Sequence, residues 1–240
     1  MNCSLRTRQA RLEGGFTLLE LLVSMTVVSL LSVTILFGWR IAAGAWGRAN
    51  QLIEEQRRIA ATHQLLEDQM AEMFSYTPWL QRGATTVFFQ GERQTARFLS
   101  RYSLANRSRS GLYRIEYQIA EASDGTHELL MNELPLWNPD DSGLLLVGAE
   151  QNPAGPLLRF APFERGPETR VLLEGLLDSH FEYYRPQGPA GSGGWVTEWI
   201  SRGNELPRAM AIRMTATTGS RPLPPVSIVA TIENYAWIRR

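Results

Sequence analysis

From Phe16 to Phe37 the chain is apolar on every side, FTLLELLVSMTVVSLLSVTILF, 22 residues with a single charge, Glu20. As a helix this segment rises about 33 Å, enough to cross a hydrocarbon core of about 30 Å. Beyond it the pattern turns amphipathic. Leu52, Ile59, Leu66 and Met73 recur every seven residues, and Ala49, His63 and Met70 join their face. Glu54, Glu55, Arg57, Arg58, Glu67, Asp68 and Glu72 fall mainly elsewhere. The first proline after Phe16 is Pro78. The pattern therefore predicts a two-part helix from Phe16 to about Tyr76, ~90 Å long by its rise per residue. Gly38, Gly44 and Gly47 lie between the halves, each costing about 1 kcal/mol in a helix interior, and mark the place expected to bend or loosen. The second half's stripe reads as packing against a sheet.

After Pro78 the period changes to two. Tyr113, Ile115, Tyr117 and Ile119 alternate with Arg114, Glu116 and Gln118, and Met210, Ile212 and Met214 alternate with Ala211 and Arg213. That is the signature of half-buried strands. Further strands are predicted at Thr85–Gln90, Ala96–Arg101, Thr126–Asn132, Arg170–Leu173, Ser179–Tyr184, Trp195–Ile200 and Ser227–Asn234. Turns are predicted at Asp124-Gly125, Asn138–Gly143, Arg185–Gly194 and Gly219–Pro225. The expected fold class is α+β, a long N-terminal helix packed on a mainly antiparallel β domain. Its parts are a basic leader (1–15), a membrane-spanning segment (16–38), an amphipathic helix (39–77) and a β-rich domain (78–240).

Charge and composition narrow the functional classes. The 24 basic residues are all arginine and are balanced by 24 acids, with no basic stripe of the kind that binds nucleic acid. Cys3 is the one cysteine, which excludes an intrachain disulfide framework and a cysteine-based zinc site. The leader carries Arg6, Arg8 and Arg11 against Glu13. That bias keeps the N-terminus cytoplasmic and sends the remainder across the membrane. The apolar run is longer than the 7–15 residues of a secretory signal, and no A-x-A cleavage pattern follows it. A retained membrane helix is the better reading.

A plain single-pass anchor has no reason to carry Glu20, since an acid inside an apolar span costs about 2.5–3.5 kcal/mol at mid-bilayer. The string Gly15-Phe16-Thr17-Leu18-Leu19-Glu20-Leu21-Leu22-Val23, behind a short basic leader, resembles the N-terminus of type IV prepilins and type II secretion pseudopilins. The resemblance implies cleavage at Gly15–Phe16 by a membrane aspartic prepilin peptidase, followed by N-methylation of Phe16. Glu20 would then pair with the Phe16 ammonium of a neighbouring subunit, each charge compensating the other. Removing the leader takes away three arginines, one glutamate and Cys3, leaving 21 arginines against 23 acids.

Further on come Gly111-Leu112, Ile115-Glu116-Tyr117, Val171–Gly175 and Phe181–Tyr184, then a Gly-rich loop, Trp195, Trp199 and Leu206–Ile212. Their order resembles the minor pseudopilin J family of type II secretion systems. Glu67-Asp68-Gln69-Met70 departs from it by lacking an arginine beside the aspartate. The resemblance implies a structural, non-enzymatic subunit of a pseudopilus tip. Its partners would be minor pseudopilins I, K and often H, the major pseudopilin and the membrane lipid, with the prepilin peptidase as processing enzyme. A minor pilin of a type IV pilus is the alternative.

No catalytic constellation stands out. His63, His127 and His180 are scattered, and no G-x-S-x-G, Walker or G-x-G-x-x-G motif occurs. No cofactor is expected. Asp140-Asp141 offers oxygens of the kind calcium takes, as in related pseudopilins, but without EF-hand spacing, and reads as a solvated turn. Trp79, Trp137, Trp195 and Trp199 are candidates for a binding surface, with core packing the commoner use.

Overall fold

The computed structural model describes residues 17–77, 87–105, 111–138, 146–152, 155–186, 193–199, 205–218, 221–222 and 225–232. One helix, α1, runs from Leu18 to Ala71, and Gly38, Gly44 and Gly47 all lie within it as helical residues. The expected helix overran at its far end. Met73 already forms a strand-like bridge to Ser100, and Phe74 N–H donates to the Leu99 carbonyl. The chain divides into two compact units at Gln51/Leu52.

In the first unit the described residues after Thr17 belong to α1, and its apolar side chains from Leu18 to Trp46 are exposed. In the second, the last part of α1 packs on an antiparallel sheet. The strands are β1 (Gln90–Gly91), β2 (Thr95–Ser100), β3 (Leu112–Glu121), β4 (His127–Leu136), β5 (Leu146–Asn152), β6 (Gly155–Phe160) and β7 (Arg170–Arg185). They continue with β8 (Gly194–Val196), β9 (Ala209–Thr218), β10 (Arg221–Pro222) and β11 (Val226–Thr231). The main sheet has the order β1-β2-β3-β4-β7-β9, with β11 and β10 on β9 and β8 on β7; β5 and β6 form a separate hairpin.

The helix face is set by Ile59, Thr62, Leu65, Leu66, Gln69 and Met70, and Met73 just past the helix end extends it. Ile59, Leu66, Met70 and Met73 of the stripe read in the sequence lie on this face, whereas Ala49 and Leu52 are exposed and His63 is not part of it. His63 instead lies at the margin, where Nε2 is 3.1 Å from the Val229 carbonyl and 3.3 Å from Glu67 Oε1. Against the helix lie Phe98, Ile115, Tyr117, Ile119, Leu129, Met131, Phe181, Tyr183, Met210 and Ile212, all buried. The predicted alternation of β3 therefore places its aromatic and β-branched residues in the core.

The other side of the sheet is partly covered too. Phe160 of β6 meets Phe88 edge-on at 5.2 Å, and Arg97 lies over the Phe160 ring. Because this second face is covered, Glu116 is buried where the alternation led us to expect a solvated side chain.

Several strand predictions are corrected. Arg170–Leu173 and Ser179–Tyr184 are one strand, β7, in which Gly175 and Asp178 adopt positive φ of 64° and 41°. The pairing of β7 with β9 slips between Leu177 and His180. Each extra residue flips the side-chain parity, which broke the period-two signal in the sequence. Hairpin β5–β6 was not anticipated, and β10 falls within the predicted Gly219–Pro225 turn. Trp195–Ile200 shrinks to β8, with Trp199 forming a single bridge to Gly91. Gly91 is required there, since a Cβ would lie 2.7 Å from Trp199 Cβ and 2.8 Å from the Phe89 ring.

Candidate functional site

The first described turn explains how α1 begins. Thr17 precedes the helix, and its Oγ1 accepts from the Glu20 N–H at 3.3 Å. Its carbonyl accepts from the N–H groups of Glu20 and Leu21 at 3.0 and 3.2 Å. Thr17 is thus the N-cap and Glu20 the third helical residue, and the Thr17 hydroxyl satisfies the Glu20 N–H, one of the orphan donors at the helix start. The Glu20 carboxylate also lies in the first turn, where the helix dipole favours negative charge. It is exposed, and among the described residues it has no hydrogen-bond or ion-pair partner. Gly15 and Phe16, the expected cleavage and methylation positions, lie outside the described residues.

Along the span, hydroxyls fold back onto the helix. Thr26 donates to the Val23 carbonyl, Ser29 to Met25, Ser32 to Val28 and Thr34 to Leu31, at 2.7–2.8 Å. Each of these polar side chains is satisfied without water, as a segment in hydrocarbon requires. The helix is long and apolar enough to cross a bilayer.

Residues 10–36 match the family model for the prokaryotic N-terminal methylation motif. The motif covers the leader's last arginine, Gly15, Phe16, Thr17, Glu20 and nearly all of the span. It supports a protein of the type IV pilin and pseudopilin kind, anchored by a single N-terminal apolar helix. The chain matches no curated protein in sequence. The methylation motif and a helix packed on an antiparallel sheet therefore stand together in one chain.

Among the described residues, buried polar groups of the second unit bond across strands and layers. Glu116 lies 3.1 Å from Arg114 Nε and 3.5 Å from Arg97 Nε, while Arg97 Nη1 donates to Gln90 Oε1 at 2.8 Å. Arg97 is 1% exposed. Burial pulls its guanidinium below the ordinary value, Glu116 opposes that shift and Arg114 adds to it. This is a structural ion-pair cluster on the covered second face. At the helix, Tyr117 donates to Gln69 Oε1 at 2.5 Å and Ser100 Oγ donates to the Gln69 carbonyl at 2.9 Å. Burial pushes the Tyr117 hydroxyl far above the usual phenol range, and the Glu133 charge adds to it. Glu133 also accepts from Ser103 Oγ and from Leu104 N–H, fastening the turn after β2.

The histidines do not converge. His127 Nδ1 is 3.1 Å from Ser179 Oγ, whereas His180 Nε2 is 3.5 Å from Glu182, which Arg213 holds at 2.7 Å. A cleft of about 420 Å³ is lined by Phe89, Gln90, Glu92, Phe160, Glu198 and Trp199 among others, with no histidine. Trp199 is buried, with Nε1 donating to the Glu205 carbonyl, and Trp195 packs on Tyr184 and under Arg213. Trp137 is 99% exposed at the end of β4. Trp79, Asp140 and Asp141 lie outside the described residues.

The sequence reading missed Thr17, Gln69 and the Arg97–Glu116 pair. Thr17 was available from the T-x-x-E spacing. The other two carry no local signal, because a polar residue in a stripe or a strand shows its burial only once the opposing layer is known.

Proposed function

We propose that this chain is a minor pseudopilin of a type II secretion system, a structural subunit of the pseudopilus tip that initiates or caps the filament driving folded proteins across the outer membrane. The observation that carries the reading is the methylation motif at residues 10–36, continuous with a helix that packs on an antiparallel β domain. In this reading the Gly15–Phe16 bond is cut by the prepilin peptidase and Phe16 is N-methylated. The helix is held in the inner membrane with the β domain in the periplasm until assembly. Minor pseudopilins I, K and H and the major pseudopilin are its partners. Its role is structural, with neither catalysis nor a resident cofactor.

The exposed Glu20 carboxylate supports an assembly role, because a charge at this position needs a partner once the surroundings become apolar. In a filament that partner is the Phe16 ammonium of the next subunit, and the pairing sets the axial register. The test begins with mass spectrometry of the N-terminal peptide from membranes of cells that contain a prepilin peptidase. A peptide starting with N-methylated Phe16 is expected, and one that retains Met1 or Asn2 overturns the reading. Glu20→Ala should still insert and be processed yet fail to enter the assembly; normal incorporation would remove Glu20 from the mechanism. Copurification with minor pseudopilins rather than a type IV major pilin assigns the machine.

A further inference from the structure

Just past the apolar span, α1 carries Trp39 and Trp46, both exposed, at 76% and 73%. Seven residues apart, they lie on one face of the helix, within about 20° of each other around its axis. The rise between them is about 10 Å. From Leu21 to Ile53 the only charged residues are Arg40 and Arg48, and acids resume at Glu54. An exposed tryptophan pair next to unbalanced positive charge suits a layer that is half apolar and carries anionic groups.

The length of the span places that layer. A carboxylate is cheapest at the end of a membrane helix, so Glu20 belongs at the near face of the hydrocarbon. About 20 residues cross it, which brings the far face to the neighbourhood of Trp39 and Arg40. Trp39 then sits at the inner margin of the headgroup zone and Trp46 at its outer margin. Tryptophan favours this depth because its ring is apolar and its N–H needs a polar partner. We infer that Trp39, Arg40 and Trp46 form an interfacial girdle that binds the anionic headgroup layer and fixes how deep the helix sits before assembly. A helix of a second copy is the poorer occupant of this face, since it would bring the same uncompensated arginines together.

The inference rests on α1 spanning a membrane, and the experiment separates the two. The full chain is reconstituted into phosphatidylethanolamine–phosphatidylglycerol vesicles whose acyl chains are brominated either near the headgroup or near the bilayer centre. Flotation with the vesicles comes first. Failure to float overturns the membrane span itself, and the girdle with it. For protein that floats, tryptophan fluorescence should be quenched more by the shallow bromines than by the deep ones. Trp39→Phe/Trp46→Phe, which keeps the apolar bulk, should float equally well and lose most of that quenching. Brominated phosphatidylglycerol should quench the native protein more than brominated phosphatidylcholine at equal mole fraction. Floating protein whose quenching is unchanged in the double variant, or is stronger with the deep bromines, overturns the girdle while leaving the span intact. Equal quenching by the two lipids overturns its preference for anionic headgroups.

Discussion

The two units of this chain solve opposite problems with the same chemistry. In the first, apolar side chains face outward from Leu18 to Trp46, and four hydroxyls turn back to carbonyls of their own helix. In the second, apolar side chains face inward and the buried polar groups reach across strands and layers. Examples are Arg97 to Glu116, and Tyr117 to Gln69. Those four hydroxyls need nothing beyond a turn of helix; the second unit's buried polar groups need partners brought from distant sequence. Substitutions should therefore fail differently in the two.

The largest effect is expected where a long-range partner is removed. Glu116→Ala leaves Arg97 and Arg114 facing each other on the covered face, and breaking a buried pair from one side costs about 3–5 kcal/mol. Chemical denaturation of the intact protein should show that loss, with membrane insertion unchanged. A loss below ~1 kcal/mol would mean that the cluster is solvated and the comparison is drawn too sharply.

Next comes a charge in the outward-facing unit. Val27→Asp, near the middle of the span, should cost about 2.5–3.5 kcal/mol of insertion free energy. It should move protein from the membrane fraction to the soluble or degraded one, while the β domain's own unfolding midpoint stays put. If the midpoint drops as well, the contrast between the two units is drawn too sharply.

A smaller effect, and one that sharpens the contrast, lies in alkaline pH. Tyr117 and Tyr183 are both raised above the ordinary phenol value of 10.0 by burial. The folded state keeps these protons while the unfolded state releases them above pH 10. Their contribution is therefore complete below about pH 10 and is lost as pH rises beyond it. Each tyrosine should lower stability by up to ~1.4 kcal/mol per pH unit there. Denaturation curves at pH 9 and pH 11 should show the slope, and Tyr117→Phe should reduce it by about half. An unchanged slope in that variant would assign the alkaline sensitivity elsewhere.

The same contrast explains what could be read from sequence. The span, the amphipathic half of α1, and strands β3 and β9 are periodic and local, and their apolar positions were legible one residue at a time. The Thr17–Glu20 cap was equally local and simply overlooked. What escaped was whatever depended on a second layer: the burial of Glu116 beside Arg97 on the covered face of the sheet, and the selection of Gln69 over His63 on the helix face. The continuity of β7 escaped because residues 175 and 178 reset the pleat. No period computed along the chain can reveal a bulge whose cause is a neighbouring strand.

The self-bonded hydroxyls have a consequence for traffic between environments. From Thr26 to Thr34, where each hydroxyl is bonded to its own helix, the segment asks nothing of its surroundings except that they be apolar. Lipid tails and the flanks of other helices then become interchangeable hosts. In moving from one to the other, this stretch has no polar contact to break and none to remake. The passage is governed by what sits at its two ends.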